Sequence, residues 1–363
     1  MAMSKRILFL SLAVMLSLAS CSKPQTPQQP GSQSNTSNNE KPAPTLTNSS
    51  PAAEIAGGSP ATAQTKVLMH NVILDERPGL QLRVRWLRGE IHPTQKGVVS
   101  SFDDPGSFVL DIQSGIIATS LSDISGILNG SLLQGSPLEK VSLAADGERL
   151  KLKGTLHKGV ALPIEMVSEV SAAPDGRVRL HMVTLRVLKL PVKALVQAFH
   201  ISIQDLIGAK GAANVQVSGN DIYVDPEQVL PAPAIRGKLT DAHIGSKTGD
   251  LVTIFGDGRP EANRFKQWRN FVRLYGGTIN LGKLTMARAD IFMIDLSNDD
   301  WFSFDLMRYQ EQLVNGRIQM TPQAGLRIFM PDIEKIPRTA QNQGISTEWM
   351  KNRSLPPPET LVQ

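Results

Sequence analysis

The chain has 363 residues, a net charge of +5 and a single cysteine, and only 5% of its residues are aromatic. One cysteine excludes a disulfide framework, so the fold must be held by its core, and the length suits one large domain or two small ones. The positive balance is mild and scattered, which argues against nucleic acid as a partner.

Lys5 and Arg6 precede an apolar run, Ile7 to Leu18, broken only by Ser11 and Ser17. The run is too short to span a bilayer as a mature helix and has the shape of an export signal. It ends Leu18-Ala19-Ser20-Cys21, which resembles the lipobox of bacterial lipoproteins. The resemblance implies that residues 1–20 are a signal peptide and that Cys21 carries acyl chains such as palmitate. Each acyl methylene contributes ~0.8 kcal/mol in the bilayer, so two or three chains anchor stably. Ser22 follows the cysteine, with no Asp there. The resemblance therefore implies a protein of the cell envelope, anchored at the outer membrane and facing the periplasm.

Residues 21–66 hold mostly Ser, Pro, Gln, Asn, Thr, Ala and Gly, with few charges and almost no large apolar side chain. Such a composition predicts a disordered tether, with an r.m.s. span of roughly 35–40 Å by random-coil scaling. From Lys66 onward the pattern changes. Val67 to Asp75 reads as a strand, and Leu80, Leu82, Val84 and Trp86 share one face of a second. Phe108, Leu110 and Ile112 alternate through a third. Ser120 and Asp123 have the spacing of a capping box. They predict a short helix with Leu121, Ile124 and Leu128 on one face, ended by Gly130.

The longest alternation follows. Leu150, Leu152 and Leu156 share one face, with Lys151, Lys153, Thr155 and His157 on the other. Val160, Leu162, Ile164 and Met166 continue the apolar face after Lys158-Gly159. Val178, Leu180 and Met182 then alternate with Arg177, Arg179 and His181. A period of two over this length predicts an antiparallel meander with one apolar face. Val192, Leu195, Val196 and Phe199 follow at helical spacing, and Ile203 and Leu206 belong to a second short helix. Gly219-Asn220 predicts a hairpin joining Val215 and Val217 to Ile222 and Val224. Ile235 to Ile244 and Leu251 to Phe255 predict a further hairpin.

The organisation expected is thus a β-rich domain over 67–256 and an additional β-rich block or second small domain over 257–336. Within that block, 271–275, 278–284, 290–295 and 326–330 read as strands and 304–313 as a short helix. Residues 337–363 read as a disordered tail. The fold class is α+β, mainly antiparallel β. It takes the form of a long curved meander with two or three short helices packed on its inner face.

Candidate chemistry is sparse. No two of the six histidines lie three or four residues apart, so no metal site is predicted. There is no Gly-x-Ser-x-Gly elbow, no phosphate-binding loop and no dinucleotide fingerprint. Asp295, Asp299, Asp300 and Asp305 form the densest acidic cluster, and they are the acids available to a hydrolase acting on envelope polymer. Arg177, Arg179, Arg186 and Lys189, with Lys151 and Lys153, are either a rim for anionic head groups or the polar face of an amphipathic sheet.

Residues 107–256 resemble the tubular lipid-binding (BPI-like) superfamily. The likeness rests on the strand at 108–117, the helix at 121–128, RLKLKGTL, the turn and strand from Asp175 to Leu180, and PVKALVQAF. It implies a non-catalytic groove for a lipid or other long apolar ligand, with no cofactor. The residues expected to line it are Leu121, Ile124, Leu128, Leu180, Met182, Val192, Leu195, Val196, Phe199, Ile203 and Leu206. The abundance of aliphatic over aromatic side chains favours a site for flexible acyl chains over one for carbohydrate. The alternatives are a structural lipoprotein that binds another envelope protein, and the hydrolase.

Overall fold

Strands that are apolar on one side only must stack that side against another layer, and this requirement builds the molecule. The structure is a computed structural model. It describes residues 64–336 apart from 78, 159, 189–214, 231, 261–264, 266 and 298. All of these fall in a single compact unit, rich in β-structure with a few short helices.

Strands β1 (Thr65–Arg77) and β2 (Leu80–Pro93) form a long antiparallel pair. After the two-residue β3 (Ser100–Ser101), β4 (Phe108–Thr119) returns along β2. Helix α1 (Leu121–Ile127) runs on through a π-type turn, Leu128–Leu132. Next come β5 (Leu138–Asp146), β6 (Arg149–Lys158), β7 (Val160–Ala172) and β8 (Val178–Val187), each antiparallel to the last. The hairpin β9 (Val215–Ser218) and β10 (Asp221–Val224) adds to β8 through β10. One helical turn, α2 (Pro226–Val229), leads to β11 (Ala234–Gly237), β12 (Leu239–Ile244) and β13 (Leu251–Phe255). Strands β14 (Phe271–Leu281), β15 (Leu284–Asp295) and β16 (Phe302–Asp305) follow. Helix α3 (Tyr309–Val314) then precedes β17 (Arg317–Met320) and β18 (Leu326–Met330).

These strands make two sheets. The first runs β12-β13-β4-β2-β1-β14-β15-β18-β17, with β11 parallel beside β4, β16 parallel beside β1 and β3 beside β14. The second runs β5-β6-β7-β8-β10-β9. Residues 271–330 therefore widen the first sheet.

The meander forms as its alternation requires. Leu150, Leu152, Leu156, Leu162, Ile164 and Met166 are all buried, whereas Lys153 is exposed. Val160 departs from the pattern and is 54% exposed, at the turn between β6 and β7. The predicted helices over 192–199 and 203–206 lie outside the described residues.

Several expectations are corrected, mostly by β-bulges, where one extra residue shifts the inward parity of a strand. In β2 the register shifts between Val84 and Trp86. Leu80, Leu82 and Val84 join the main core, but after the bulge Leu87 and Ile91 do so in place of Trp86. A shift in β5 between Glu139 and Ser142, with Lys140 at φ +52°, hides that strand from a period-two search. The expected strand from Ile235 to Ile244 is two strands, because the chain leaves β4 at Gly237 to pair with β13. The segment 271–275 and residues 278–281 of the segment 278–284 merge into one strand through Gly276 and Gly277, both at positive φ, and Leu284 opens β15. Gly130 does not end α1, since the helix widens to π spacing and continues past it. Residues 304–313 divide between β16 and α3.

Helix α1 is tied to both sheets. Ser120 caps it, accepting from the Asp123 N–H at 3.0 Å. The Asp123 carboxylate accepts the Gln81 N–H of β2 at 3.0 Å, so it is turned toward the first sheet. On the other side, Asn129 donates to the Val141 carbonyl (2.7 Å) and accepts the Val141 N–H (2.8 Å). Ser125 Oγ accepts the Leu143 N–H at 2.9 Å. Val141 is at the β5 bulge, where ladder pairing lapses, and Asn129 replaces the missing partner. Removing it leaves two buried backbone groups unpaired. We therefore expect Asn129→Ala to lower unfolding stability by about 2 kcal/mol, read from urea denaturation, and Asn129→Asp, which can accept the Val141 N–H but cannot donate to its carbonyl, to recover only part of that loss.

Candidate functional site

The two sheets and α1 line a partly open cavity of about 250 Å³. The first sheet contributes Leu82, Ile117, Ile244, Leu251 and Phe255 to its wall, and the second contributes Leu150, Leu152, Met166, Val170 and Leu180. Helix α1 and its π turn supply Leu121, Ile124, Ile127, Leu128 and Leu132. Val215, Ile222 and Val224 of the β9–β10 hairpin and Val229 and Leu230 after it complete one side. Among these lining residues the only side-chain hydroxyls are those of Thr119, Ser136 and Thr253, and Thr253 already donates to the Ile117 carbonyl at 3.2 Å. The wall has almost nothing to offer water, which needs two to four polar partners to stay in a buried site.

Of the residues singled out in the sequence, Leu121, Ile124, Leu128 and Leu180 line this cavity. Leu180 is the most central, since it packs against three separate clusters of buried side chains. Met182 packs beside Leu156 and Ile164 in one of those clusters but is not on the cavity wall. Val192, Leu195, Val196, Phe199, Ile203, Leu206 and Cys21 lie outside the described residues. The lining contributed by Leu82, Ile117, Ile244 and Phe255 was not anticipated. Each was legible only as a core position, because which core faces the cavity depends on how the sheets stack.

The acidic cluster is engaged in turns and ion pairs. Asp295 accepts from the Ser297 N–H (2.7 Å) and from Asn270 Nδ2 (2.9 Å). Asp305 accepts the N–H groups of Met307 (2.8 Å) and Arg308 (3.0 Å). Asp299 pairs with Lys335 at 2.7 Å and Asp300 with Arg269 at 2.7 Å. Among the described residues no three His, Cys, Asp or Glu side chains are grouped to hold a metal ion. The described histidines are similarly occupied. His181 meets Asp221 at 2.7 Å, His243 meets Asp241 at 2.8 Å, and His70 donates to the Arg269 carbonyl at 2.6 Å.

The basic strip is neutralised along the outer face of the second sheet. Arg177 is 2.6 Å from Asp175, Arg179 3.0 Å from Asp221, Lys151 3.1 Å from Asp146 and Lys153 3.6 Å from Glu165. Arg186 is opposite Glu165 in the β7–β8 register, and Lys189 lies outside the described residues. This is the pattern of an amphipathic sheet's polar face, with cross-strand charges alternating in sign.

The carboxylate most altered by its surroundings is far from that face. Asp75, near the end of β1, is pushed up to about 6 from an ordinary 3.8 by burial. A hydrogen bond with Gln81 opposes the rise, and the charges of Asp305 and Glu334 add to it. The folded state thus favours the protonated form. The stability gained from protonation is full below about pH 4 and is lost as pH rises through about 6.

Two predictions follow from this geometry. Asp75→Asn should raise the melting temperature at pH 7.5 relative to the parent chain and leave it nearly unchanged at pH 4, as read by calorimetry. A side chain added on the cavity wall should find room, whereas one added to a filled part of the core should not. Val170→Phe, on the wall, should shift stability by less than about 1 kcal/mol, while Ile164→Phe, fully buried and off the wall, should cost about 1–3 kcal/mol in urea unfolding.

Compared with protein-family models, with curated proteins and with solved structures, the chain matches none of them.

Proposed function

We propose that this chain is a lipid-anchored envelope protein that binds a lipid or other long apolar molecule without catalysis. The observation that carries the proposal is the cavity of about 250 Å³ with an almost wholly aliphatic wall. Aliphatic side chains that face an unfilled pocket forgo part of the stabilisation of burial, about 25 cal/mol per Å² of apolar surface. Hydrocarbon is the material that offsets this cost, at ~0.8 kcal/mol per methylene. A smaller apolar cavity, of about 150 Å³, already takes up benzene.

In this reading the β5–β8 meander curves around α1, as the resemblance of 107–256 to tubular lipid-binding proteins implies. The Leu18–Cys21 lipobox anchors the chain, and the polar segment between Cys21 and β1 holds the binding domain away from the outer membrane on its periplasmic side. A second reading, attachment to another envelope protein, draws on the open edge of the first sheet. There β17 leaves Ile318 54% and Met320 74% exposed on a strand edge that no described residue pairs with, and such edges accept an added strand.

Solvent extraction of the polypeptide exported without its acyl anchor, followed by mass spectrometry, tests the carrier. About one acyl-bearing molecule per chain is expected, and a bulky cavity-wall variant, Val170→Trp, should carry none. Extracts that are equally free of apolar compounds in parent and variant would sink the carrier and leave strand-edge attachment standing.

A further inference from the structure

The first sheet ends at β17, and no described strand pairs with its far side. All of β17, from Arg317 to Met320, is exposed, but its two faces differ in kind. Ile318 and Met320 share the inner face with Ile328 and Leu326 of β18, their partners in the antiparallel register. Ile328 is fully buried in the main core and Leu326 packs against that core, yet Ile318 and Met320 are more than half exposed. The core therefore runs out one strand before the apolar side chains do. Sheet edges are commonly blunted by a charged residue pointing inward or by proline. The inner face of this edge has neither.

The outer face is cationic. Arg317 is opposite Phe329 in the register, and its guanidinium lies 4.4 Å from the centre of that ring. Gln319 is opposite Arg327, whose guanidinium is 4.8 Å from the Trp268 ring. Stacking on a ring holds a guanidinium in place without cancelling its charge. Neither arginine is in an ion pair among the described residues, and Arg327 Nε is buried without a hydrogen-bond partner. Asp290 of β15, on the same face, is already taken by Arg273 at 3.0 Å. The edge thus offers apolar side chains on one side and uncompensated positive charge on the other.

We propose that β17 is a docking edge for an extended segment of another protein in which apolar residues alternate with acidic ones. This rests on the strand-edge reading above and adds the chemistry of the partner. Main-chain hydrogen bonds to β17 hold the added strand, and its alternation of two residues selects it. Its apolar side chains cover Ile318 and Met320. Its acidic side chains lie beside Arg317, and Arg327, one strand further in, adds to the positive field. A second copy of this chain fits the edge less well. Antiparallel pairing of β17 with itself brings Arg317 and Arg327 of both copies to one face, where like charges repel.

The test uses the polypeptide of residues 21–363 without acyl chains. Three labelled eight-residue peptides alternate Val with Glu, Gln or Lys, and binding is read by fluorescence anisotropy at pH 7.5 in about 50 mM salt. The Glu peptide should bind about three- to tenfold more tightly than the Gln peptide, and the Lys peptide more weakly than either. Arg317→Glu should reverse the order of the Glu and Lys peptides. Met320→Lys, on the inner face, should weaken the Gln peptide about fivefold or more. Both positions are exposed, so loss of folding is not expected, and a circular dichroism melt checks it. Equal affinity for the three peptides, or a preference for Lys, overturns the acidic class and leaves the strand-edge reading in place. If no peptide binds, both fall. Self-association of the chain without peptide, seen by sedimentation and abolished by Met320→Lys, gives the edge to a second copy and also overturns the proposal.

Discussion

The structure depends on the clamp that fixes α1 between the two sheets. The helix is short, and a helix of seven residues has little stability of its own. It is held by side chains that bond to backbone groups of its neighbours. Asp123 reaches β2 in one sheet, and Ser125 and Asn129 reach β5 in the other. These bonds go to N–H and C=O groups that the strand ladders leave open, so they fix position as well as energy. With α1 in place, Leu121, Ile127 and Leu128 reach three different clusters of buried side chains. The helix and both sheets together supply the cavity wall.

Bulges do the complementary work within the sheets. A strand that curves around a helix must bend, and a bulge bends it at the cost of reversing which residues point inward. In β2 the inward set passes from Leu80, Leu82 and Val84 to Leu87 and Ile91. In β8 the register shift near Ser168 leaves Val183 as the extra residue, 40% exposed, and the buried side passes from Leu180 and Met182 to Leu185 and Val187. Each shift coincides with an apolar doublet, Trp86-Leu87 or Met182-Val183. A doublet inside an alternating strand is the signal that could have located these shifts in the sequence.

The polar chemistry is organised around the cavity's exterior. Lysines and arginines of the second sheet are matched by carboxylates on neighbouring strands, so little net field is left on that face. The acidic run after β15 is absorbed by tight turns and by Lys335 and Arg269. Beside the aliphatic cavity, Asp225 caps the turn of α2 by accepting the Glu227 N–H.

The sequence by itself determined the strands of the central meander, the β9–β10 and β12–β13 hairpins, the cap of α1 and the apolar identity of its inward residues. Those features are local, since alternation, turn glycines and capping side chains act over a few residues. Only the tertiary structure decided that residues 271–330 extend the first sheet, that Ile235 to Ile244 serves two different strands, and that Leu82, Ile117 and Phe255 face Met166 and Leu180 across a cavity. Burial of an apolar side chain is equally favourable against protein or against a ligand, so composition could not separate a wall from a core. The separation is set by how α1 and the two sheets stack, and that stacking rests on contacts between residues far apart in the sequence.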